Sequence, residues 1–141
     1  MQVTKFLTAV IVLFVWGFLF DRFLGPTVYG SALSGIPNLV TEPAMQWLII
    51  GGLVANVVLV WVYEKVRGSF GVGLAGGAKF GLYTGVLMNF PMWLFFTLYV
   101  AWPYKAMWHF TLVGVVMGVI SGALIGLVYE KVGAAKSTTN N

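Results

Sequence analysis

The sequence predicts an all-α membrane protein, a bundle of four transmembrane helices. Of its 141 residues, 60% are hydrophobic and 9% are charged, whereas soluble domains carry about 25% charged residues. Four stretches are apolar and long enough to cross a bilayer core of about 30 Å as helices. They are residues 6–24, 46–63, 80–100 and 109–129. None alternates polar and apolar residues as a membrane β-barrel does, and a helix satisfies its own backbone in lipid.

Composition also excludes several classes of protein. The apolar excess excludes a disordered chain, and the absence of cysteine excludes disulfide scaffolds, thiolate metal sites and cysteine catalysis. The net charge of +4 is not gathered into a basic stripe, so no nucleic-acid partner is expected. We expect one domain over residues 1–133 and a small, polar, disordered tail over residues 134–141.

The lysines and arginines predict the orientation, because cytoplasmic segments carry their excess. Two of them, Arg22 and Lys105, fall on the outer side of the predicted spans. The other six fall on the opposite side: Lys5, Lys65, Arg67, Lys79, Lys131 and Lys136. Both termini are therefore expected in the cytoplasm. A cleaved signal peptide is the alternative for the first span, but Asp21 and Arg22 are badly placed for it.

The predicted connections differ in character. The outer loop over residues 25–45 contains Gly25-Pro26 and two further X-Pro pairs, which should end the first helix. The inner loop over residues 68–78 is rich in glycine, and the outer loop after residue 100 is short and aromatic. Asp21 and Arg22 are expected at the headgroup edge, where Arg22 can extend towards water.

A five-residue segment occurs twice, 66 residues apart. Residues 62–66 and 128–132 both read Val-Tyr-Glu-Lys-Val, each where an even-numbered span reaches the cytoplasmic side. One interpretation is a duplicated two-helix hairpin, whose copies would be related by an axis along the membrane normal. The other is that an interfacial ring followed by charged residues is simply a favourable helix exit.

Glycines recur every four residues along spans 3 and 4. Positions i and i+4 share a helix face, so each of these helices has a smooth face that permits close backbone approach in lipid. The glycines are Gly73, Gly77, Gly81 and Gly85 at span 3, and Gly114, Gly118, Gly122 and Gly126 in span 4. The two faces are expected to pack on each other, with another subunit as the alternative partner.

Two asparagines are the polar residues at mid-membrane depth. Asn56 extends the position of Gly52 by four residues, and Asn89 extends that of Gly85 likewise. Both lie roughly 12–15 Å above the inner surface at about 1.5 Å per residue. We expect the two amides to meet across spans 2 and 3. Pro91 should remove one helix hydrogen bond and bend span 3.

Candidate chemistry is sparse. His109, the single histidine, stands at the outer end of span 4 and could serve as an axial ligand to haem or a pigment. No nucleophile–base pair or metal-spaced cluster can be assembled, so neither an enzyme nor a resident cofactor or metal is expected. Residues 71–76 match Gly-x-Gly-x-x-Gly, but they lack the preceding strand that a dinucleotide site requires.

The chain resembles small, uncharacterised bacterial four-helix membrane proteins of the domain-of-unknown-function type. The similar features are residues 15–19 (Val-Trp-Gly-Phe-Leu), Asn56 before an apolar run ending at Tyr63, Phe80-Gly81 with Gly85, and the glycines of span 4. The resemblance covers most of the chain. It implies a bacterial inner-membrane protein without an assigned activity, and it assigns no catalytic residue.

Three functions are compatible with these features. The first is a non-catalytic accessory or interaction subunit, whose glycine faces contact a membrane-protein partner or another copy. The second is a small-solute or ion transporter acting as an oligomer, with Asn56, Asn89, Thr84 and Ser121 along a hydrated path. The third is a haem or pigment carrier that uses His109.

Overall fold

The computed structural model describes residues 2–34, 36 and 45–134, and in these residues the only regular structure is helical. The helices are α1 (Val3–Leu19), a π-helical turn (Phe20–Leu24), α2 (Gly25–Leu33), α3 (Met45–Phe70), α4 (Gly73–Tyr99) and α5 (Tyr104–Ala134). The segment Val3–Leu33 is continuous, so four helical segments are long and apolar enough to cross a membrane. The protein is an all-α integral membrane protein with four candidate spans.

The first span is longer than predicted, because Gly25-Pro26 does not end the helix. Pro26 lies in the first turn of α2, a position at which helices tolerate proline. The π-helical turn leads directly into α2: the amide of Gly25 donates to the carbonyl of Phe20, five residues earlier. The helix then continues through the nine residues of α2. The prediction of a loop from residue 25 was therefore wrong as far as Leu33, and residues 37–44 lie outside the described residues.

The connection between α3 and α4 is shorter than predicted. Helix α3 continues to Phe70 and α4 begins at Gly73, which leaves two residues between them. Gly71 and Gly73 have φ angles of 88° and 68°, a region that glycine enters without steric cost. These glycines permit an abrupt reversal, so the expected loop over residues 68–78 is mostly helix. Of the predicted disordered tail, Ala134 ends α5 and residues 135–141 lie outside the described residues.

Both ends of the described chain lie at one end of the bundle, here called the terminal end. The amide of Gln2 donates to Glu64 near the end of α3, at 2.9 Å. Tyr63 of α3 packs edge-on against Tyr129 of α5, with ring centroids 5.4 Å apart. A core cluster fills this end: Ala9, Val10, Leu13, Val60, Tyr63, Phe80, Ile125 and Tyr129.

The opposite end, here called the loop end, contains α2 and the α4–α5 connection. Its core is aromatic and centres on Phe110, whose ring stacks on Trp93 at 4.8 Å and on Tyr29 at 5.4 Å. Trp102 stacks on Trp93 at 5.5 Å. These rings join α2, α4 and α5, and together with the terminal-end cluster they anchor both ends of the bundle.

Candidate interaction faces and polar sites

The closest contact in the bundle is between α4 and α5, and it is made by glycines. This glycine interface consists of Gly77, Gly81, Gly85, Gly114, Gly118, Gly122 and Gly126. A Cβ atom at Gly118 would stand 2.6 Å from the carbonyl oxygen of Gly81 and 2.9 Å from the Cα of Gly85. A Cβ at Gly122 would stand 2.7 Å from the Cα of Gly81. The backbones are therefore too close for any side chain to fit between them.

The geometry suits helix association in lipid. Apolar side chains gain nothing by leaving lipid tails, so dispersion and weak Cα–H contacts between close backbones must hold the helices together. The two predicted glycine faces lie against each other within one chain. Because they are buried between α4 and α5, they are not available to contact another subunit. Gly73 lies at the end of this contact: its backbone lies against Gly126, and a Cβ at Gly73 would stand 2.6 Å from Oε2 of Glu130.

Two polar residues of α4, Asn89 and Thr84, are bonded within their own helix. The Nδ2 of Asn89 donates to the carbonyl of Gly85 at 2.8 Å, and the Asn89 side chain fills the space beside Gly114 of α5. The Oγ1 of Thr84 donates to the carbonyl of Phe80 at 3.0 Å. Such bonds to the carbonyl four residues earlier satisfy a polar side chain without a second helix. The predicted hydrogen bond between Asn89 and Asn56 is not formed.

Asn56 lies on α3, the most weakly packed of the four segments. Of the most apolar 18-residue window of α3, 6% is buried, against 17% to 28% in the other three. Within residues 2–34, 36 and 45–134, the half-buried amide of Asn56 has no hydrogen-bond partner. Four residues earlier, a Cβ added at Gly52 would meet no atom within 4 Å. One turn beyond Asn56, Val60 is fully buried.

A single helix face thus changes environment along its length. We call the part of this face formed by Gly52 and Asn56 the α3 face. Towards the terminal end the same side of α3 packs into the core at Val60. Towards the loop end α3 is exposed around its whole circumference. Its exposed large apolar residues there are Met45, Trp47, Leu48, Ile49, Ile50, Leu53, Val54, Val57 and Val58.

His109 joins α5 to α2. Its Nε2 donates to the carbonyl oxygen of Val28 at 2.6 Å, and its ring stands edge-on to Phe110 with centroids 5.9 Å apart. A carbonyl can only accept, so Nε2 carries the proton. No group of three or more histidine, aspartate and glutamate side chains that could hold a metal occurs in the described part of the chain. The hydrogen bond of His109 to Val28 therefore links α5 to α2.

Pro91 and the pair Asp21 and Arg22 all lie within helical segments. Pro91 lies inside α4, which remains helical to Tyr99, and the expected bend at Pro91 stays a prediction. Asp21 and Arg22 lie in the π-helical turn, and both side chains are exposed.

A cavity that was not predicted from the sequence lies at the terminal end. It has a volume of about 480 Å³ and lies between the end of α3, the α3–α4 turn and the end of α5. Its lining residues are Tyr63, Arg67, Gly68, Gly71, Val72, Gly73, Tyr129 and Glu130. The repeated Val-Tyr-Glu-Lys-Val segments contribute both tyrosines, which was the one available signal. The guanidinium of Arg67 lies over the Tyr129 ring, 5.3 Å from its centroid.

No protein-family model, curated protein or solved structure matches this chain.

Proposed function

We propose that the protein is a non-catalytic membrane subunit that associates with a second copy of itself through the α3 face. The main support for this proposal is Asn56. Its amide is half-buried in an apolar span and has no hydrogen-bond partner among the described residues. An amide has two donors and an acceptor oxygen, and in lipid it gains by bonding across a helix interface. Asn89 meets this need within α4, whereas Asn56 does not.

A second copy is the simplest partner for this face. An amide is self-complementary, so Asn56 of each copy can donate to and accept from the other across a two-fold axis. Gly52, one turn away, has open space beside it and allows the two backbones to approach. The glycine interface is already used between α4 and α5, so α3 supplies the contact that was first expected from the glycine faces.

We also propose that both termini lie in the cytoplasm of a bacterial inner membrane. The support is the charge distribution, since Lys5, Lys65, Arg67, Lys79 and Lys131 belong to segments at the terminal end and cytoplasmic segments carry such an excess. A duplicated hairpin is proposed on the repeated segment, whose tyrosines Tyr63 and Tyr129 pack on each other.

The other two functions have weaker support. A transport path along Asn89 and Thr84 is disfavoured because both side chains are bonded to carbonyls of α4. A haem or pigment carrier would rely on His109, whose Nε2 is already bonded to Val28.

The absence of cysteine makes a direct test possible, because any introduced cysteine is unique in the chain. Gly52→Cys places a thiol on the α3 face, and Val54→Cys places one two residues away, on the opposite side of the helix. Disulfide formation requires Cα atoms within about 7 Å. After mild oxidation in native membranes, we expect a covalent dimer from Gly52→Cys and little from Val54→Cys.

Adding Asn56→Leu to Gly52→Cys should lower the yield of covalent dimer. Interhelical amide bonds contribute about 0.6 kcal/mol on average and at most about 2 kcal/mol, which corresponds to a roughly three- to thirty-fold weaker dimer. Equal yields from Gly52→Cys and Val54→Cys, or a yield that Asn56→Leu leaves unchanged, would contradict the proposal.

A further inference from the structure

An acidic and a basic side chain stand next to each other on the exposed surface of the first span. Asp21 and Arg22 lie in the π-helical turn, inside a helical segment that is continuous from Val3 to Leu33. Both side chains are exposed, and neither has a hydrogen-bond partner in the described ranges 2–34, 36 and 45–134. Successive residues of a helix do not face each other, so the two charges are badly placed to pair within one chain.

The π-helical turn also leaves a backbone acceptor next to these charges. A helical carbonyl accepts from the amide four residues later or, in a π-helical turn, five residues later. Four residues after Asp21, the amide of Gly25 donates to Phe20 instead. Five residues after Asp21 is Pro26, which has no N–H. Neither position bonds the carbonyl of Asp21, so this turn offers a carbonyl as well as a carboxylate to an external donor.

The residues around the charged pair are large, apolar and exposed. They are Phe18, Leu19, Phe23 and Leu24, which are 63%, 44%, 70% and 48% exposed. Counted at about 1.5 Å per residue, Asp21 lies about 27 Å along the helix from Val3, close to the thickness of a bilayer core. Charged side chains at this depth are costly when they face lipid, and they gain by pairing with one another. Opposite charges on a partner would therefore lower the cost of exposing Asp21 and Arg22.

We propose that the π-helical turn is a second contact between two copies of this chain, in which Asp21 of each copy pairs with Arg22 of the other. Adjacent charges of opposite sign are self-complementary, because a two-fold axis between two facing turns forms both pairs at once. The guanidinium of Arg22 has five N–H donors, which suffice for the carboxylate of Asp21 and for a further acceptor. The inference rests on the proposed function for one premise, that two copies associate, and it concerns a different surface.

A cysteine at Phe18 tests whether two of these turns meet. Phe18 lies three residues before Asp21 and four before Arg22, so it shares their side of the helix. Because the chain has no native cysteine, Phe18→Cys should give a covalent dimer on mild oxidation in native membranes. Leu87→Cys is the matched control, since Leu87 is 73% exposed on α4. Equal yields at the two positions would indicate random collision and would overturn the proposal.

Charge variants in the Phe18→Cys background test the pairing. A dimer of Asp21→Arg brings four arginines together, and a dimer of Arg22→Asp brings four aspartates together. Each should give about fivefold less covalent dimer, since two exposed ion pairs are worth about that factor. Asp21→Asn combined with Arg22→Gln removes the pairs at constant net charge and should also lower the yield. If all three variants crosslink like Phe18→Cys alone, the two turns do not pair and the inference is wrong.

Mixing the two reversed variants gives the decisive measurement. The Asp21→Arg and Arg22→Asp chains, both with Phe18→Cys, are produced together with different tags. Arginines of one chain then face aspartates of the other, so a mixed dimer regains both pairs. We expect mixed dimers in clear excess over dimers of either variant with itself. Mixed and like dimers in the proportions of random pairing would contradict the inference.

Gly52→Cys, which reports on the α3 face, is oxidised in parallel so that the two proposals fail separately. A covalent Gly52→Cys dimer without any effect of the charge variants on Phe18→Cys would remove only the contact at the π-helical turn. The charge effect without a Gly52→Cys dimer would support this contact and remove the one through the α3 face.

Discussion

The α4–α5 pair and helix α3 differ in how their glycines are packed: those of α4 and α5 are in contact, and those of α3 are exposed. Helices α4 and α5 form the most extensive interface in the bundle, with glycine backbones in direct contact. Helix α3 also has glycines, Gly51 and Gly52, but a Cβ added at either would meet nothing within 4 Å. It joins the bundle through the half that contains Val60 and Tyr63. The same residue type thus marks a closed contact in one region and an open surface in the other.

The polar residues show the same difference. Asn89, on α4, bonds to a carbonyl of its own helix and fills the space beside Gly114. Asn56, on α3, has its neighbouring glycine on the open side. In lipid, helix contact depends on close packing and polar bonds more than on apolar area. Atoms added to the closely packed α4–α5 interface should therefore lower the free energy of unfolding, whereas atoms added to the open face of α3 should not.

The largest effect is expected from a methyl group added to the glycine interface. In Gly81→Ala the new Cβ would overlap the carbonyl group of Gly118, so the two backbones must move apart. Overpacking of this kind costs about 1–3 kcal/mol. The free energy of unfolding, measured by titration with a denaturing detergent in mixed micelles, should fall by that amount.

Gly51→Ala is the matched control for Gly81→Ala. It adds the same atom to a helix interior where nothing lies within 4 Å, so no loss is expected, and the higher helix propensity of alanine should leave the free energy of unfolding unchanged or raise it by up to about 1 kcal/mol. A loss from Gly51→Ala as large as that from Gly81→Ala would mean that the loss does not come from the close contact of α4 and α5, since alanine has the higher helix propensity of the two residues.

A smaller effect should separate the two halves of α3. Val60 is fully buried and Val54 is 57% exposed. Val60→Ala removes packing contacts with the terminal-end core and should cost about 1–2 kcal/mol in the same unfolding assay. Val54→Ala should cost less than about 0.5 kcal/mol. Comparable losses at both positions would mean that the first half of α3 is covered as well as the second.

The sequence predicts the four apolar spans because length and hydropathy determine which segments can cross a bilayer. The structure has four such helices and no strand in its described residues. The period of four also places the glycines on one face of each helix. It does not say which partner that face meets, because the choice depends on how the helices are arranged in three dimensions.

Other features depend on contacts that local sequence does not encode. Gly25-Pro26 resembles a helix end, yet the π-helical turn before it lets α2 continue. Asn56 and Asn89 are predicted at similar depth, but depth does not determine rotation about the helix axis, and Asn89 bonds within α4. The cavity combines Arg67 with Tyr129, which are far apart in the chain. Such pairs become visible only when the fold is known.

The smallest effect is expected where the glycine interface meets a polar side chain, that of Asn89. In Gly114→Ala the new Cβ would overlap the carboxamide of Asn89, a side chain that can rotate away more easily than backbone can move. The loss should therefore be smaller than for Gly81→Ala, about 1 kcal/mol or less. Asn89→Ala alone removes a bond within α4 and should cost about 0.5 kcal/mol.

The double variant Gly114→Ala with Asn89→Ala distinguishes steric overlap between the new Cβ and the Asn89 side chain from a change in helix propensity. With the carboxamide gone, the added methyl occupies the vacated space, so the double variant should be at least about 0.5 kcal/mol more stable than the sum of the single losses predicts. A purely additive result in the unfolding titration would mean that Asn89 and Gly114 do not compete for space. The polar end of the interface would then be as open as the α3 face.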